Sequence, residues 1–180
     1  MSNTRQWWMV GGVAAVLAGL LLAGWLARDR FIPVEVGSPA PDFAAHTLEG
    51  EPVRLSGLEG EVVLLNIWAT WCGPCVEEMP SLQRLHERFR GRGFRVVAVS
   101  IDAPAGSSTR RKVSAFTGEL GLTFDLWLDP SGDIQRLYRT TGVPESFVID
   151  REGVIVKKVV GATEWDSEPN AELIQRLLSS

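Results

Sequence analysis

The sequence predicts an α/β domain, a central mixed sheet flanked by helices, behind one N-terminal transmembrane helix. Three observations predict it. Residues 62–68 (VVLLNIW) and 94–101 (FRVVAVSI) are nearly continuous apolar runs rich in β-branched residues, the composition of strands buried on both faces. Between them Val76, Met79, Leu82, Leu85 and Phe89 recur at helical spacing, so strand, helix and strand make a parallel βαβ unit. Residues 7–27 (WWMVGGVAAVLAGLLLAGWLA) run for 21 residues without a charge. As a helix that length spans about 32 Å, one hydrocarbon core.

The elements follow in order. Residues 1–30 are expected to be a tail and transmembrane anchor, with Trp7, Trp8 and Trp25 at the headgroup levels. A cleaved signal peptide fits less well, because the run exceeds an ordinary apolar region and no small-x-small site ends it. Gly11, Ala15, Gly19 and Ala23 form a small-residue face along the span. Residues 31–41 (FIPVEVGSPAP) contain three prolines and no helical period, and are expected to be an extended tether. The domain proper is then residues 42–180. Within it residues 43–48 and 52–55 flank Glu49-Gly50 as a hairpin, and 62–68 should be a central strand. A helix over 74–90 is stopped by Gly91 and Gly93. After the strand at 94–101 come a helix over 107–120, a strand over 123–128 and a short helix over 134–138. A hairpin of 146–150 with 154–160 follows, then a closing helix over 171–178 capped by Asn170.

Residues 31–180 carry 15 Lys and Arg against 21 Asp and Glu, a balance of −6, which argues against nucleic acid as a partner. The basic groups Arg110-Arg111-Lys112 and Lys157-Lys158 are short and lack stacking aromatics.

The two cysteines, Cys72 and Cys75, are the only ones in the chain and stand two residues apart. A structural zinc site wants four ligands, and His46 and His86 are badly placed to complete one. A disulfide closing so small a loop constrains the unfolded chain very little, so stability is a poor reason for it. Redox chemistry fits. At a helix N-terminus the Cys72 sulfur faces unpaired N–H groups and the positive dipole end, conditions that bring such thiols to pKa ~3.5–7 against ~8.5 for free cysteine. Cys72 is therefore read as the nucleophile and Cys75, one turn inside the helix, as the resolving thiol. Gly73 is read as allowing a tight turn, and Pro74 as starting the helix with a preset φ.

The chain resembles the thioredoxin superfamily, and more narrowly its membrane-anchored TlpA-like branch, which includes ResA and CcmG (DsbE) proteins. The resemblance covers residues 37–179. It rests on GSPAPDF at 37–43, WCGPC at 71–75 and GVPESFVID at 142–150. It implies a thioredoxin-like fold with an N-terminal β-hairpin and a central βα insertion. It also implies a cis bond between Val143 and Pro144, packed against the cysteines, which frees the Val143 backbone to hydrogen-bond a substrate strand. Trp71, beside the nucleophile, is expected on the substrate rim, and Trp68 and Trp127 in the core. Asn66 departs from ordinary thioredoxin, which carries a buried Asp six residues before the first cysteine. Glu78, three residues after Cys75, holds the place of the branch's acidic residue. It is expected to be desolvated, with a raised pKa, and to move a proton on or off Cys75, whereas Glu77 is a first-turn carboxylate. Glu145 follows the cis-proline as in CcmG-like sequences.

The resulting expectation is a thiol:disulfide oxidoreductase, single-pass in a bacterial cytoplasmic membrane, its domain on the periplasmic side. The Gly-Pro interior of the motif is the reducing thioredoxin type. The clients are then protein disulfides, among them apocytochrome c during cytochrome c biogenesis, with a membrane thiol carrier as electron donor. No metal or organic cofactor is called for. Rival readings are a disulfide-forming oxidase, a peroxiredoxin-like peroxidase and a copper or haem chaperone. The peroxidase is disfavoured because Ala69 stands where peroxidatic sites have Thr, Thr70 being one residue late. The copper carrier is disfavoured by the cysteine spacing.

Overall fold

The computed structural model of the chain describes residues 13, 16–22, 34–103, 106–129 and 131–180. Backbone contacts group residues 1–33 into one unit and 34–180 into another. In the first, residues 13 and 16–22 are helical, and Val16, Leu17, Leu20, Leu21 and Leu22 are exposed. Among the described residues no helix is long and apolar enough to cross a membrane. Most of the expected 7–27 span lies outside the described residues.

In the second unit the elements run β1 (Ala44–Thr47), β2 (Pro52–Arg54), a 3-10 turn (Leu55–Leu58), β3 (Val62–Trp68), α1 (Gly73–Phe89), β4 (Phe94–Ser100), α2 (Ser107–Glu119), β5 (Asp125–Leu128), α3 (Asp133–Tyr138), β6 (Glu145–Ile149), β7 (Ile155–Val160) and α4 (Glu168–Ser179). The strands form one mixed sheet in the order β2-β1-β5-β4-β3-β6-β7. β3, β4 and β5 are parallel, while β6 is antiparallel to β3 and β1 is antiparallel to β5.

Strand parity divides the apolar residues between two cores. Val62, Leu64 and Trp68 of β3 join Met79, Leu82, Leu85 and Phe89 of α1 on one face. Val63, Leu65 and Ile67 join Phe43, Trp127, Tyr138 and Phe147 on the other. That two-sided burial is why β3 reads as an unbroken apolar run. On the second face Phe43 meets Trp127 and Tyr138 edge-on, with centroids 6.0 and 5.9 Å apart. The Tyr138 hydroxyl donates to the Pro41 carbonyl at 2.9 Å, tying the start of the domain to α3.

α1 continues through Pro80, whose missing N–H leaves the Val76 carbonyl without a helical donor. It ends before Gly91 and Gly93, whose φ values of 72° and 84° favour glycine. Along its length Arg84 pairs with Asp166, Arg88 with Glu168, and Arg92 with Gln175. These contacts are exposed, so each contributes little.

The structure corrects two sequence-based expectations. Residues 34–41 are not a free tether. Gly37 N donates to Ile155 O at 2.8 Å, Ala40 N to Gly153 O at 2.8 Å, and Ile155 N to Ser38 O at 2.9 Å, so this stretch docks on β7. Its prolines are compatible with an edge, where a missing N–H costs no ladder bond. Asn170 does not cap the last helix. α4 begins at Glu168, one turn early, and the Ser167 carbonyl accepts from the Asn170 and Ala171 amides. The Asn170 side chain instead bridges inward, donating to the Glu164 carbonyl at 3.0 Å and accepting from Lys157 Nζ at 2.5 Å.

Leu82→Ala should lower the unfolding free energy by about 2–5 kcal/mol, because the fully buried side chain leaves a cavity between α1 and the sheet. Leu137→Ala, at an exposed position, should stay within about 0.5 kcal/mol. Urea melts of both variants check the contrast, and equal losses would contradict this core assignment.

Candidate active site

β3 delivers the chain to the site. Its last residue, Trp68, is fully buried, and the Cys72 amide donates to the Ala69 carbonyl at 3.2 Å. Thr70 is gripped by Asp102, which accepts from the Thr70 amide at 2.8 Å and from its hydroxyl at 2.5 Å. Asp102 also accepts from Ser100 Oγ at 2.9 Å and Lys112 Nζ at 3.3 Å. Burial alone would raise the Asp102 carboxyl, but the hydrogen bonds from Thr70, Ser100 and Lys112 outweigh it and hold the group below the ordinary carboxylate range.

Cys72 occupies the N-cap position of α1 with extended backbone, φ −92° and ψ 104°. Its sulfur accepts from the Cys75 amide at 3.2 Å. The two cysteines are joined as a disulfide with Cα atoms 5.3 Å apart, Cys72 being 5% exposed and Cys75 fully buried. Gly73 is not needed for a tight turn. It lies in the first helical turn, and an added Cβ there would meet nothing within 4 Å. The turn into the helix is made at Thr70 and Trp71, closed by the Cys72 amide on the Ala69 carbonyl, while Pro74 sits in the first turn, where its missing donor costs nothing.

The Val143–Pro144 peptide is cis. The Val143 carbonyl oxygen lies 3.4 Å from Cys72 Sγ, a contact that a thiol proton would turn into a hydrogen bond. The β6 ladder starts only at Glu145, and the Pro144 carbonyl accepts from Gly161 N at 2.8 Å. Trp71 projects from the same region, 65% exposed.

Glu78 is only 2% exposed. Its Oε1 accepts from Asn66 Nδ2 at 2.7 Å, and its Oε2 accepts from Thr163 N at 3.2 Å and Trp165 Nε1 at 3.3 Å. Asn66 Nδ2 also lies 2.9 Å from Ser146 Oγ. Among the described residues no cation pairs with the Glu78 carboxylate. Burial therefore dominates and raises its pKa to about 7, against the opposing hydrogen bonds from Asn66, Thr163 and Trp165. Being three residues apart, Glu78 and Cys75 share a helix face. Glu145 is also buried, with Lys158 Nζ 3.0 Å from Oε1 and no partner for Oε2 among the described residues.

The structure thus brings Trp71, Cys72, Gly73, Pro74, Cys75, Glu78, Val143 and Pro144 to one end of the sheet. Strand parity could have found Asn66 and Ser146, since both fall on the α1 face with Leu64 and Val148. Thr163, Trp165 and Asp102 carry no local signal. Among the described residues no group of three His, Cys, Asp or Glu side chains converges to hold a metal ion.

The raised Glu78 pKa has a stability consequence whose sign is fixed. Between about 4.5 and about 7 the folded carboxyl keeps a proton that the unfolded chain releases, so stability falls as pH rises through this window. The ionised carboxylate costs roughly 3 kcal/mol above it. Glu78→Gln should flatten that decline, measured as urea midpoints at pH 5 and 8; an unaltered slope would contradict the burial argument.

Three comparisons with known proteins bear on this geometry. The AhpC/TSA family profile matches residues 36–158. The thiol-disulfide oxidoreductase ResA of Geobacillus kaustophilus (strain HTA426) is 32% identical over 176 residues, 95% of this chain and 98% of that protein. The thioredoxin-like protein YneN of Bacillus subtilis (strain 168) is 32% identical over 171 residues, 92% of this chain and 97% of that one. A crystal structure from Chlorobium tepidum, assigned as thiol:disulfide interchange protein DsbE, superposes with a TM-score of 0.71 at 36% identity, covering 80% of this chain and 98% of that one. With its mixed sheet, its helices and its Cys-x-x-Cys pair at a helix mouth, the chain belongs to the thioredoxin-like AhpC/TSA family.

Proposed function

We propose that this thiol:disulfide oxidoreductase works as a reductant of protein disulfides, held by its uncharged 7–27 segment on the outer face of a bacterial cytoplasmic membrane. The observation that carries the reading is the disulfide between Cys72 at the mouth of α1 and the buried Cys75, with the Val143 carbonyl beside the outer sulfur.

In the reduced enzyme the Cys72 thiolate attacks one sulfur of a client disulfide. A Cys72–client S–S bond forms, the client S–S bond breaks, and the first client sulfur leaves as a thiolate that takes a proton from water. Cys75 then gives its proton to the Glu78 carboxylate and attacks Cys72 Sγ. This closes the Cys72–Cys75 bond and expels the second client thiolate, which is protonated in turn. Two electrons pass from the enzyme dithiol to the client. Trp71 and the Val143–Pro144 backbone offer the client an apolar rim and a strand-like edge.

The uncharged 21-residue run supports the anchor. An oxidising compartment supplies no electrons of its own, so a membrane thiol carrier is the fitting donor, and the anchor would keep the domain near it. An apocytochrome c with its Cys-x-x-Cys-His is the client this reading names, and cytochrome c maturation the process.

Cys75→Ser should stall the exchange as a lasting mixed disulfide between Cys72 and the client, seen by mass under non-reducing conditions. Failure to trap any adduct while Cys72 still alkylates freely would contradict the reading. Glu78→Gln should slow the resolving step about 100-fold, the usual worth of a placed acid–base group.

A further inference from the structure

The Glu78 carboxylate has an unusual set of neighbours. From β3 comes the neutral amide of Asn66, backed by the Ser146 hydroxyl of β6. On α1 itself stand Cys75 and Ser81. The remaining contacts come from the loop between β7 and α4, which supplies the Thr163 amide and the Trp165 indole N–H to the same oxygen, Oε2. Behind the indole, Lys157 Nζ of β7 lies 5.9 Å from its ring centroid. The loop is fixed at this point by Ser81, whose hydroxyl accepts from the Trp165 amide at 3.0 Å and donates to the Glu78 carbonyl at 2.7 Å. Trp165 is 1% exposed, so its indole N–H has no water to turn to.

We propose that Trp165 is a positioning residue for the resolving step, its indole N–H stabilising the ionised form of Glu78 in which that carboxylate can accept the Cys75 proton. The inference rests on the reading that Glu78 is that acceptor. An N–H aimed at a buried carboxylate favours the charged form, and the neutral N–H edge of an indole does so without adding a competing cation. Asn66 serves Oε1, and the Thr163 donor is backbone, so Trp165 is the loop contact that a side-chain substitution can cut. Trp165→Phe keeps an aromatic ring in the apolar cluster that Trp165 shares with Met79, Ala171 and Ile174, and removes the donor. Glu78 then holds its proton more tightly, and the resolving step needs a higher pH.

The test uses the reduced full chain and the disulfide reagent DTNB. Attack by Cys72 leaves a mixed disulfide with thionitrobenzoate, and the release of that coloured thiolate by Cys75 is the resolving step alone. Its rate is followed against pH in the wild type, Trp165→Phe, Glu78→Gln and the double variant. The wild-type rate should rise through a midpoint set by Glu78. Trp165→Phe should move the midpoint up by about one unit, a tenfold change in proton affinity, and should move nothing in the Glu78→Gln background. A midpoint unmoved in Trp165→Phe but absent in Glu78→Gln overturns the role of Trp165 alone. A wild-type profile in Glu78→Gln overturns the acceptor reading itself. Should Trp165→Phe fail to fold, the Trp165 indole ¹⁵N–H resonance of the wild type decides. It should titrate with the Glu78 midpoint and lose that titration in Glu78→Gln; a resonance flat across the range overturns the proposal.

Discussion

The contact on which this site depends is small: a backbone N–H of the first turn of α1, that of Cys75, aimed at the sulfur of Cys72 from 3.2 Å. It makes a cysteine take the place usually filled by Ser, Thr, Asp or Asn at a helix start, and it couples nucleophile and helix dipole in one geometry. A second contact pulls the other way. The Val143 carbonyl, 3.4 Å from the same sulfur, favours the protonated thiol, as does burial of Cys72 at 5% exposure. The chemistry requires that the amides and dipole at the helix mouth win over the carbonyl and the dry surroundings.

Around this contact the scaffold is arranged to leave little freedom. β3 pairs on both sides and is buried on both faces, so the strand is held by packing from two cores as it arrives at the site. Asp102 then fixes Thr70, two residues before the nucleophile, from the end of the neighbouring strand β4. The magnitudes separate this region from the rest of the surface. The Arg84, Arg88 and Arg92 contacts along α1 are solvent-exposed and screened, so they contribute little. The buried Glu78 carboxylate, with no cation beside it among the described residues, costs roughly 3 kcal/mol when ionised. A fold carries such a cost at a place where a proton must move, and Glu78 stands one helical turn from the shielded thiol.

The βαβ unit was legible because its signals are local: unbroken β-branched runs, a helical apolar period and a glycine stop lie within residues 62–101. The same locality placed the two cysteines at a helix start. What was not legible comes from long-range contact. Thr163 and Trp165 meet Glu78 across more than 80 residues of chain, and nothing in TEWD at 163–166 marks it as a donor loop. Residues 34–41 look like a tether because their pairing partner, 153–155, is over a hundred positions away. Asn170 misled for a different reason. Its type suits a cap, but Ser167 and Pro169 set the helix start one turn earlier, and the amide was recruited to Lys157. Gly73 looked like a turn glycine only because cysteines flank it; its backbone is ordinary helix.

The most direct test of this account is the pH dependence of iodoacetamide alkylation of each cysteine in the reduced protein, resolved by peptide mass. The account predicts that Cys72 titrates well below the free-cysteine value of ~8.5, within ~3.5–7, while Cys75 titrates at or above it. Two overlapping curves near ~8.5, or a Cys75 more acidic than Cys72, would show that the helix mouth does not activate the outer sulfur and would contradict the mechanism built on it.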